Sequence, residues 1–568
     1  MTERELLRII DFVERVRIPF DRSFQSASPD ATWNIILFLF RRTLQGHDVT
    51  KSSLASSSDI PFPSAMRRIH QLIADGDVDQ IPRTPNAKAT LLVPSQRLKA
   101  EFVQYALNVK SLLSDVWSQT TAGADPEDYY FGARNVTGQM APPPFKRHPS
   151  TRDTHTDLRF LLHKDSYFAS MRNLFSDFRN KFASKRNFSL LSTPDLHQAL
   201  FAQANCERAS FDIVSLDIAW LGEAVERGMI QALDPFLMDR DVNPGDFHPS
   251  VWAGGSWGNQ QYGIPIYSTF ETLAVRRDLI NDQQIAMPTN FETVMEVARQ
   301  THDPKRGMSG IVWNAGKGRP VAQTFMFLLG ACGHSVLNLP VSRNRIDYSK
   351  LTSDMYRPRF ETEQAYQVLE YMHGLLKYSP PDILGLDATS ALENFMLGRS
   401  AMIYCWGSDA SRLEYDTKSR VKRNVDYLMH PRGPGGLSTS PVGGFLLAIP
   451  AKLPKERSRL AFDVISWMTS PSAMREHVKN GVPIAPCFSV KADPEMTPTT
   501  PIVHMVETAI RHNRLSTWQR PPIREYSRME RIIGQHVFSA LTGEVSDQAA
   551  LRLCQDAVDG LMRQSLRY

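Results

Sequence analysis

Phe62, Met66, Ile69, Leu72 and Ile73 recur at helical spacing, so the apolar pattern predicts a helix over about 63–75 that stops at Gly76. That phase places Ser64, Arg67, Arg68 and Gln71 on the outer face. Just upstream, Thr50 can cap a short helix containing Leu54 and Ala55, which Ser58, Asp59 and Pro61 then break. Downstream, residues 78–81 and 89–93 read as paired strands around a Pro/Asn turn that carries Arg83 and Lys88. In the helix that follows, Leu98, Phe102, Tyr105, Val109, Leu112 and Val116 alternate at steps of four and three, the spacing of a seam between packed helices. Leu6, Ile10 and Val13 have similar spacing and can join it. The seam fits a dimer interface, with an intrachain core helix as the alternative.

Beyond this region the pattern changes. Residues 120–153 contain GADPED and MAPPPFKRHPSTRD and read as a linker. Residues 154–568 alternate strand-like runs, such as LRFLL at 158–162, FSLLS at 188–192, FDIVSLD at 211–217 and FLLAIP at 445–450, with amphipathic helical stretches. Such alternation predicts an α/β architecture with mainly parallel sheets.

Composition adds constraints. Hydrophobic residues make up 42% and charged residues 22%, and a mean hydropathy of -0.31 describes a globular protein rather than a disordered or fibrous one. Glu3, Glu5, Asp11 and Glu14 interrupt every apolar stretch that could start an export signal. The apolar run at 35–40 is too short to span a bilayer. The five cysteines are scattered without C-x-x-C pairing, which fits packing roles in a reducing compartment. The expectation is a cytoplasmic protein with no membrane contact. Patterns for phosphate loops, nucleophile elbows and zinc sites are missing, so the sequence points to no enzyme, metal or cofactor.

The helix, turn, helix and hairpin of the first segment resemble the winged helix-turn-helix of MarR-type bacterial regulators over roughly 33–116. The resemblance implies a recognition helix bearing Ser64, Arg67, Arg68 and Gln71 and a wing bearing Arg83 and Lys88, acting on double-stranded DNA as a homodimer. It places the winged-helix domain at 1–119.

The third segment resembles the family 1 extracellular solute-binding proteins of ABC importers. The resemblance rests on FDIVSLD with the helix after it, YGIPIYSTFETLAVRRDLI, MPTNFETVMEVARQ, ENFMLGRSAMIYCWGSDASRL, SPVGGFLLAIP and SRLAFDVISWMTSPSAMREHVKNGVPIAP, in that order. It implies two α/β lobes of the periplasmic-binding-protein type over 154–568, with a small solute held between them. Ligands of open α/β sheets gather at the carboxyl ends of strands. That rule selects Lys164, Asp165 and Tyr167 after the first strand, then Asp217 and Trp220, and Tyr267, Ser268, Thr269 and Glu271 at the crossing. From the second lobe come Trp313 and Asn314, Trp406 and Asp409, and Gly443 with Gly444. Aromatic rings beside carboxylates and amides suit a carbohydrate; Lys164 alone would suit a carboxylate or phosphate.

The expected whole is therefore multidomain, α+β then α/β: a ligand-responsive transcription regulator whose DNA affinity follows a small solute, expected to be a carbohydrate. The alternative is the binding component of an ABC sugar importer with an atypical N-terminal extension.

Overall fold

The computed structural model of the protein describes residues 6–7, 9–13, 31–58, 60–82, 90–118, 158–164, 189–237, 242–342, 345–346, 350–479, 482, 485–491 and 501–568. Contacts separate two compact units, Met1–Asn135 with Tyr415–Thr417, and the remainder. The expected linker at 120–153 lies outside the described residues.

In the first unit, α1 (Ala31–Leu44), α2 (Lys51–Ser56) and α3 (Phe62–Ala74) precede an antiparallel hairpin of β1 (Val78–Pro82) and β2 (Thr90–Pro94) and a long helix, α4 (Gln96–Ser118). Thr50 caps α2: its hydroxyl accepts from the Ser53 amide while Ser53 accepts from the Thr50 amide. Ala65, Ile69 and Leu72 of α3 enter a core with Ile35, Leu39, Leu54 and Leu92. Phe62, expected inside, is 54% exposed. As the first residue of α3 its side chain points back past the helix end, so Ala65 takes the inward place. Ser64, Arg67, Arg68 and Gln71 are exposed, Arg68 donating to Gln71 at 3.2 Å, whereas Arg83 and Lys88 lie outside the described residues.

The seam residues of α4 turn inward as well. Leu98 and Phe102 are buried with Leu6, Ile10 and Phe40, and the Phe102 ring stacks on Phe40 at 4.1 Å. At these positions the apolar stripe is covered within its own unit, which removes the reason for assigning it to a dimer; the side chains of Leu112 and Val116 lie outside the described residues.

The second unit is built on one nine-stranded sheet. Its first lobe holds β3 (Phe160–His163), β4 (Ser189–Leu191), α5 (Thr193–Ala202), β5 (Ile213–Asp217) and α6 (Leu221–Glu226). The long strand β6 (Gly263–Arg276) carries the chain into a second lobe of α7 (Phe291–Thr301), β7 (Ser309–Val312), α8 (Arg319–Ala331), α9 (Glu363–Leu376), β8 (Ser400–Trp406) and β9 (Val425–Met429). Strand β10 (Ser440–Ala448) returns to the first lobe and α10 (Lys455–Met468), and β11 (Leu515–Ser516) leads to α11 (Tyr526–Leu541) and α12 (Asp547–Gln564). The strand order is β4-β3-β5-β10-β6-β8-β7, with β9 beside β6 and β11 beside β10.

The expectation of a mainly parallel sheet needs correction. Pairing is parallel at both ends, β4-β3-β5 and β8-β7, but antiparallel at β5-β10, β10-β6 and β6-β8. The reason is the route of the chain: β6 leaves the first lobe and β10 comes back, so neighbouring strands at the crossing must run in opposite directions. Among the described residues no helix is long and apolar enough to cross a membrane.

One ionic clamp ties the first lobe together. Asp212, fully buried at the start of β5, accepts from Arg159 before β3 and from Arg457 of α10. Burial alone would raise its pKa, but the two guanidiniums outweigh that and hold the carboxyl below its usual value. Asp212→Ala is expected to cost about 2–4 kcal/mol, somewhat less than for a wholly buried pair because both arginines keep some water. Urea unfolding of the variant measures it.

Candidate ligand-binding cleft

The crossing strands assemble the site. Strand β6 sets Tyr267 opposite Phe445 and Thr269 opposite Gly443 on β10, and Glu271 opposite Trp406 on β8; β10 in turn sets Phe445 opposite Asp217. Directly opposed residues of an antiparallel ladder share a face, and alternate residues along a strand return to it. Asp217, Tyr267, Thr269, Glu271, Trp406 and Gly443 therefore occupy one face of the crossing. Ser268 and Gly444, one residue out of phase, lie on the other.

Asp217 is the hub of this face. It ends β5, where its Oδ1 accepts from the Ala219 amide at 3.0 Å and starts the next turn. Its Oδ2 accepts from Arg319 at 3.0 Å and from Arg520 at 3.2 Å. Burial would raise the carboxyl pKa, but Arg520 and then Arg319 more than offset it and keep Asp217 ionised. Arg319 opens α8 of the second lobe, so its bond to Asp217 joins the two lobes. It also approaches Glu530 at 3.7 Å and lies over the Trp220 ring at 5.5 Å. Glu530 accepts from Gln323 at 3.0 Å and from the Tyr526 hydroxyl at 2.7 Å.

Arg520 lies over the Trp406 ring at 5.4 Å. Gly443 is required beneath them, because a Cβ there would come within 2.6 Å of the indole and 3.2 Å of the guanidinium. Thr269 accepts from the Ser408 amide at 3.0 Å, which fixes the turn after β8. Glu271 pairs with His430 at 3.2 Å with both side chains buried; burial pushes the Glu271 carboxyl up, and His430 opposes the shift. The His430 ring stacks on Tyr404.

Other sequence-selected residues stand apart. Trp220 is buried, edge-on to His197 and under Arg319. Trp313 is a core residue whose Nε1 donates to Ser379 at 3.0 Å. The Asn314 carbonyl accepts from Thr324 at 2.9 Å. Asp409 follows β8, and burial pushes its carboxyl up to about 6 against the opposing charge of Arg412. Lys164 is exposed, and Asp165 and Tyr167 lie outside the described residues. Among the described residues, no group of three His, Cys, Asp or Glu side chains could hold a metal ion.

Sequence reasoning missed Arg319, Arg520, Glu530 and His430. Arg319 stands in NAGKGRP, which reads as a plain turn, although it follows a strand end and opens a helix. Arg520 follows no long strand, so the strand-end rule passes over it.

Two lobes, a reversing pair of crossing strands and charged groups meeting from both sides define a solute-binding protein. The chain belongs to the bacterial extracellular solute-binding protein family, whose profile matches residues 168–475. Among solved structures it is similar to an ABC transporter solute-binding protein of Agrobacterium radiobacter K84 in complex with ribitol, with 24% identity, a TM-score of 0.64, and coverage of 71% of this chain and 98% of that one. Maltose-bound MalE3 of T. maritima gives 20%, 0.61, 71% and 99% in the same order. The D-mannitol-bound solute-binding protein of Agrobacterium vitis S4 gives 20%, 0.62, 72% and 98%. At these identities the structures establish the fold.

These findings overturn the reading as a transcription regulator. The matched family is one of extracellular solute-binding proteins, and the similar structures include two ABC transporter solute-binding proteins; they support neither double-stranded DNA nor a homodimer as a partner. The family is described as extracellular, which does not support a cytoplasmic placement.

Proposed function

We propose that the chain is the sugar- or polyol-binding component of an ABC importer, and that the first unit is a winged-helix-type extension attached to it. The observation that carries this reading is the convergence of Asp217, Arg319 and Arg520 beside Trp406 on the crossing face. Carboxylate and guanidinium groups bind hydroxyls, and an indole packs on the apolar face of a sugar ring. The ligands named for the similar proteins, ribitol, maltose and D-mannitol, support the same class. The order of three helices, hairpin and long helix in the first unit supports the winged-helix reading.

The test is thermal unfolding and calorimetry of the full chain with ribitol, D-mannitol and maltose. A true ligand at a hundred times its Kd is expected to stabilise the protein by about 2.7 kcal/mol. No shift and no heat with any of the three would overturn the reading.

A further inference from the structure

Resting on the reading of the chain as a two-lobed binding protein, we propose that Arg567 and Ser527 form a latch between the lobes outside the cleft, which sets ligand affinity through the balance of lobe arrangements and not by touching the ligand. Helices α11 and α12 belong with the second lobe. A Cβ at Gly534 of α11 would collide with the Gly318 carbonyl oxygen at the start of α8. Gln555 of α12 accepts from the Phe360 amide and donates to the Pro358 carbonyl, each at 2.9 Å, and Asp547 of α12 meets His373 of α9 at 2.9 Å. Helix α6 belongs to the first lobe, following Asp217 and Trp220. The two parts meet along α6. Arg567 donates to the two carboxylate oxygens of Glu226 at 2.8 and 2.9 Å and to Oε2 of Glu525 at 3.0 and 3.1 Å, and it lies over the Tyr356 ring of the second lobe at 4.8 Å. About one turn earlier on α6, Glu223 accepts from Ser527 of α11 at 2.6 Å, and Ser527 also bonds His197 of α5 at 2.9 Å. A Cβ at Gly222 would collide with the Pro522 carbonyl oxygen, so α6 lies directly against the segment that leads into α11.

The joint carries two costs that a permanent tie would not need. Glu525 is 2% exposed, and its Oε1 lacks a partner among the described residues. Native proteins rarely leave a buried polar atom in that condition, and each exception calls for an explanation. Leu566 carries the second cost. It turns the chain after α12 so that Arg567 points back, with φ +56° at a position that normally takes glycine, and it is 89% exposed, so packing returns little. The turn is held by the Leu566 amide donating to the Arg563 carbonyl at 3.0 Å and the Arg567 amide donating to Met562 at 3.1 Å. The Arg567 contacts offset both costs, which leaves a joint that parting of the lobes can undo: water then reaches Glu525 and the turn relaxes. The latched arrangement is the one in which Asp217, Arg319 and Arg520 converge, so the latched fraction scales the affinity of the cleft.

The test uses the full chain with Cys206→Ser, which removes the partly exposed thiol, and spin labels on Glu456→Cys of α10 and Glu370→Cys of α9, both exposed positions, one on each lobe. Label-to-label distances without ligand report the lobe arrangement, and calorimetry with ribitol, D-mannitol and maltose reports affinity. Arg567→Gln and Ser527→Ala are expected to move label pairs away from the wild-type distance. Binding of the sugar that binds wild type should weaken on the order of tenfold, by the same factor as the fraction at the wild-type distance falls. Leu566→Gly, which keeps the Arg567 contacts and removes the strain, should leave that fraction as high or raise it. Unchanged distances in Arg567→Gln and Ser527→Ala overturn the latch, whether the affinity or the thermal midpoint falls or not, and leave the importer reading standing. A wild type that binds none of the three sugars overturns the importer reading, while the distances still decide the latch.

Discussion

Asp217→Ala is expected to destabilise the second unit by about 3–5 kcal/mol, the usual cost of removing one partner from a buried charge pair, and to abolish measurable ligand binding. Two guanidiniums depend on this carboxylate, and Arg520 is only 5% exposed, so water cannot replace it there. The same ion cluster joins the lobes through Arg319, so the substitution removes a contact between the lobes as well as packing within one. Urea unfolding and calorimetry on the variant check the two effects separately. Asp217→Asn should be milder, because it can keep the bond to the Ala219 amide.

The pH dependence of this contribution has a definite sign. The folded-state pKa of Asp217 is lowered, so the native state holds on to fewer protons than the unfolded chain in the acid range. Its contribution is complete above the unfolded value near 3.9 and is lost as pH falls through the lower, folded value. An acid unfolding profile that does not change on Asp217→Asn would contradict this assignment.

Gly444→Ala is the second large effect, expected at about 3 kcal/mol from strain and overpacking together. Gly444 has φ +129° on the returning strand, and a Cβ there would meet the Tyr267 carbonyl oxygen at 2.1 Å. Gly228 provides the control: its φ is also positive, at +63°, but nothing lies within 4 Å of the added carbon. Gly228→Ala should cost only about 1 kcal/mol, from the backbone conformation alone. Equal losses in thermal unfolding would mean that the close approach of β10 to β6 contributes nothing.

Local features were legible in the sequence because they depend on neighbours in the chain. The apolar runs at 158–162 and 211–217 hold most of β3 and all of β5, which begin two residues later than the runs do, Thr50 is a cap, and the hairpin after Gly76 lies between α3 and α4. The site was only half legible. Strand phase places Asp217, Thr269, Glu271 and Trp406 on one face once the ladder is known, but the register of β10 against β5 and β6 is a long-range fact. Arg319 and Arg520 meet Asp217 from 102 and 303 residues away, and no spacing in the chain announces such a meeting. Trp313 and Trp406 look alike in sequence, each near a strand end; the difference is that Ser379 receives the first indole in the core, whereas the second lies beneath a guanidinium. The expectation of a regulator fails for another reason: it rests on the shape of the first unit, and a fold does not by itself confer an activity.

The pairing of Asp217 with Phe445 also sets a schedule for synthesis. Strand β5 leaves the ribosome about 230 residues before the strand that completes its ladder, which at roughly 5–20 residues per second is a delay on the order of 10–45 seconds. For that interval an apolar strand has an open hydrogen-bonding edge and no neighbour on one side, the condition under which nascent chains aggregate. The first lobe is thus begun early and finished late, and its yield in a cell should depend on chaperone supply and translation speed more than on the stability of the finished protein.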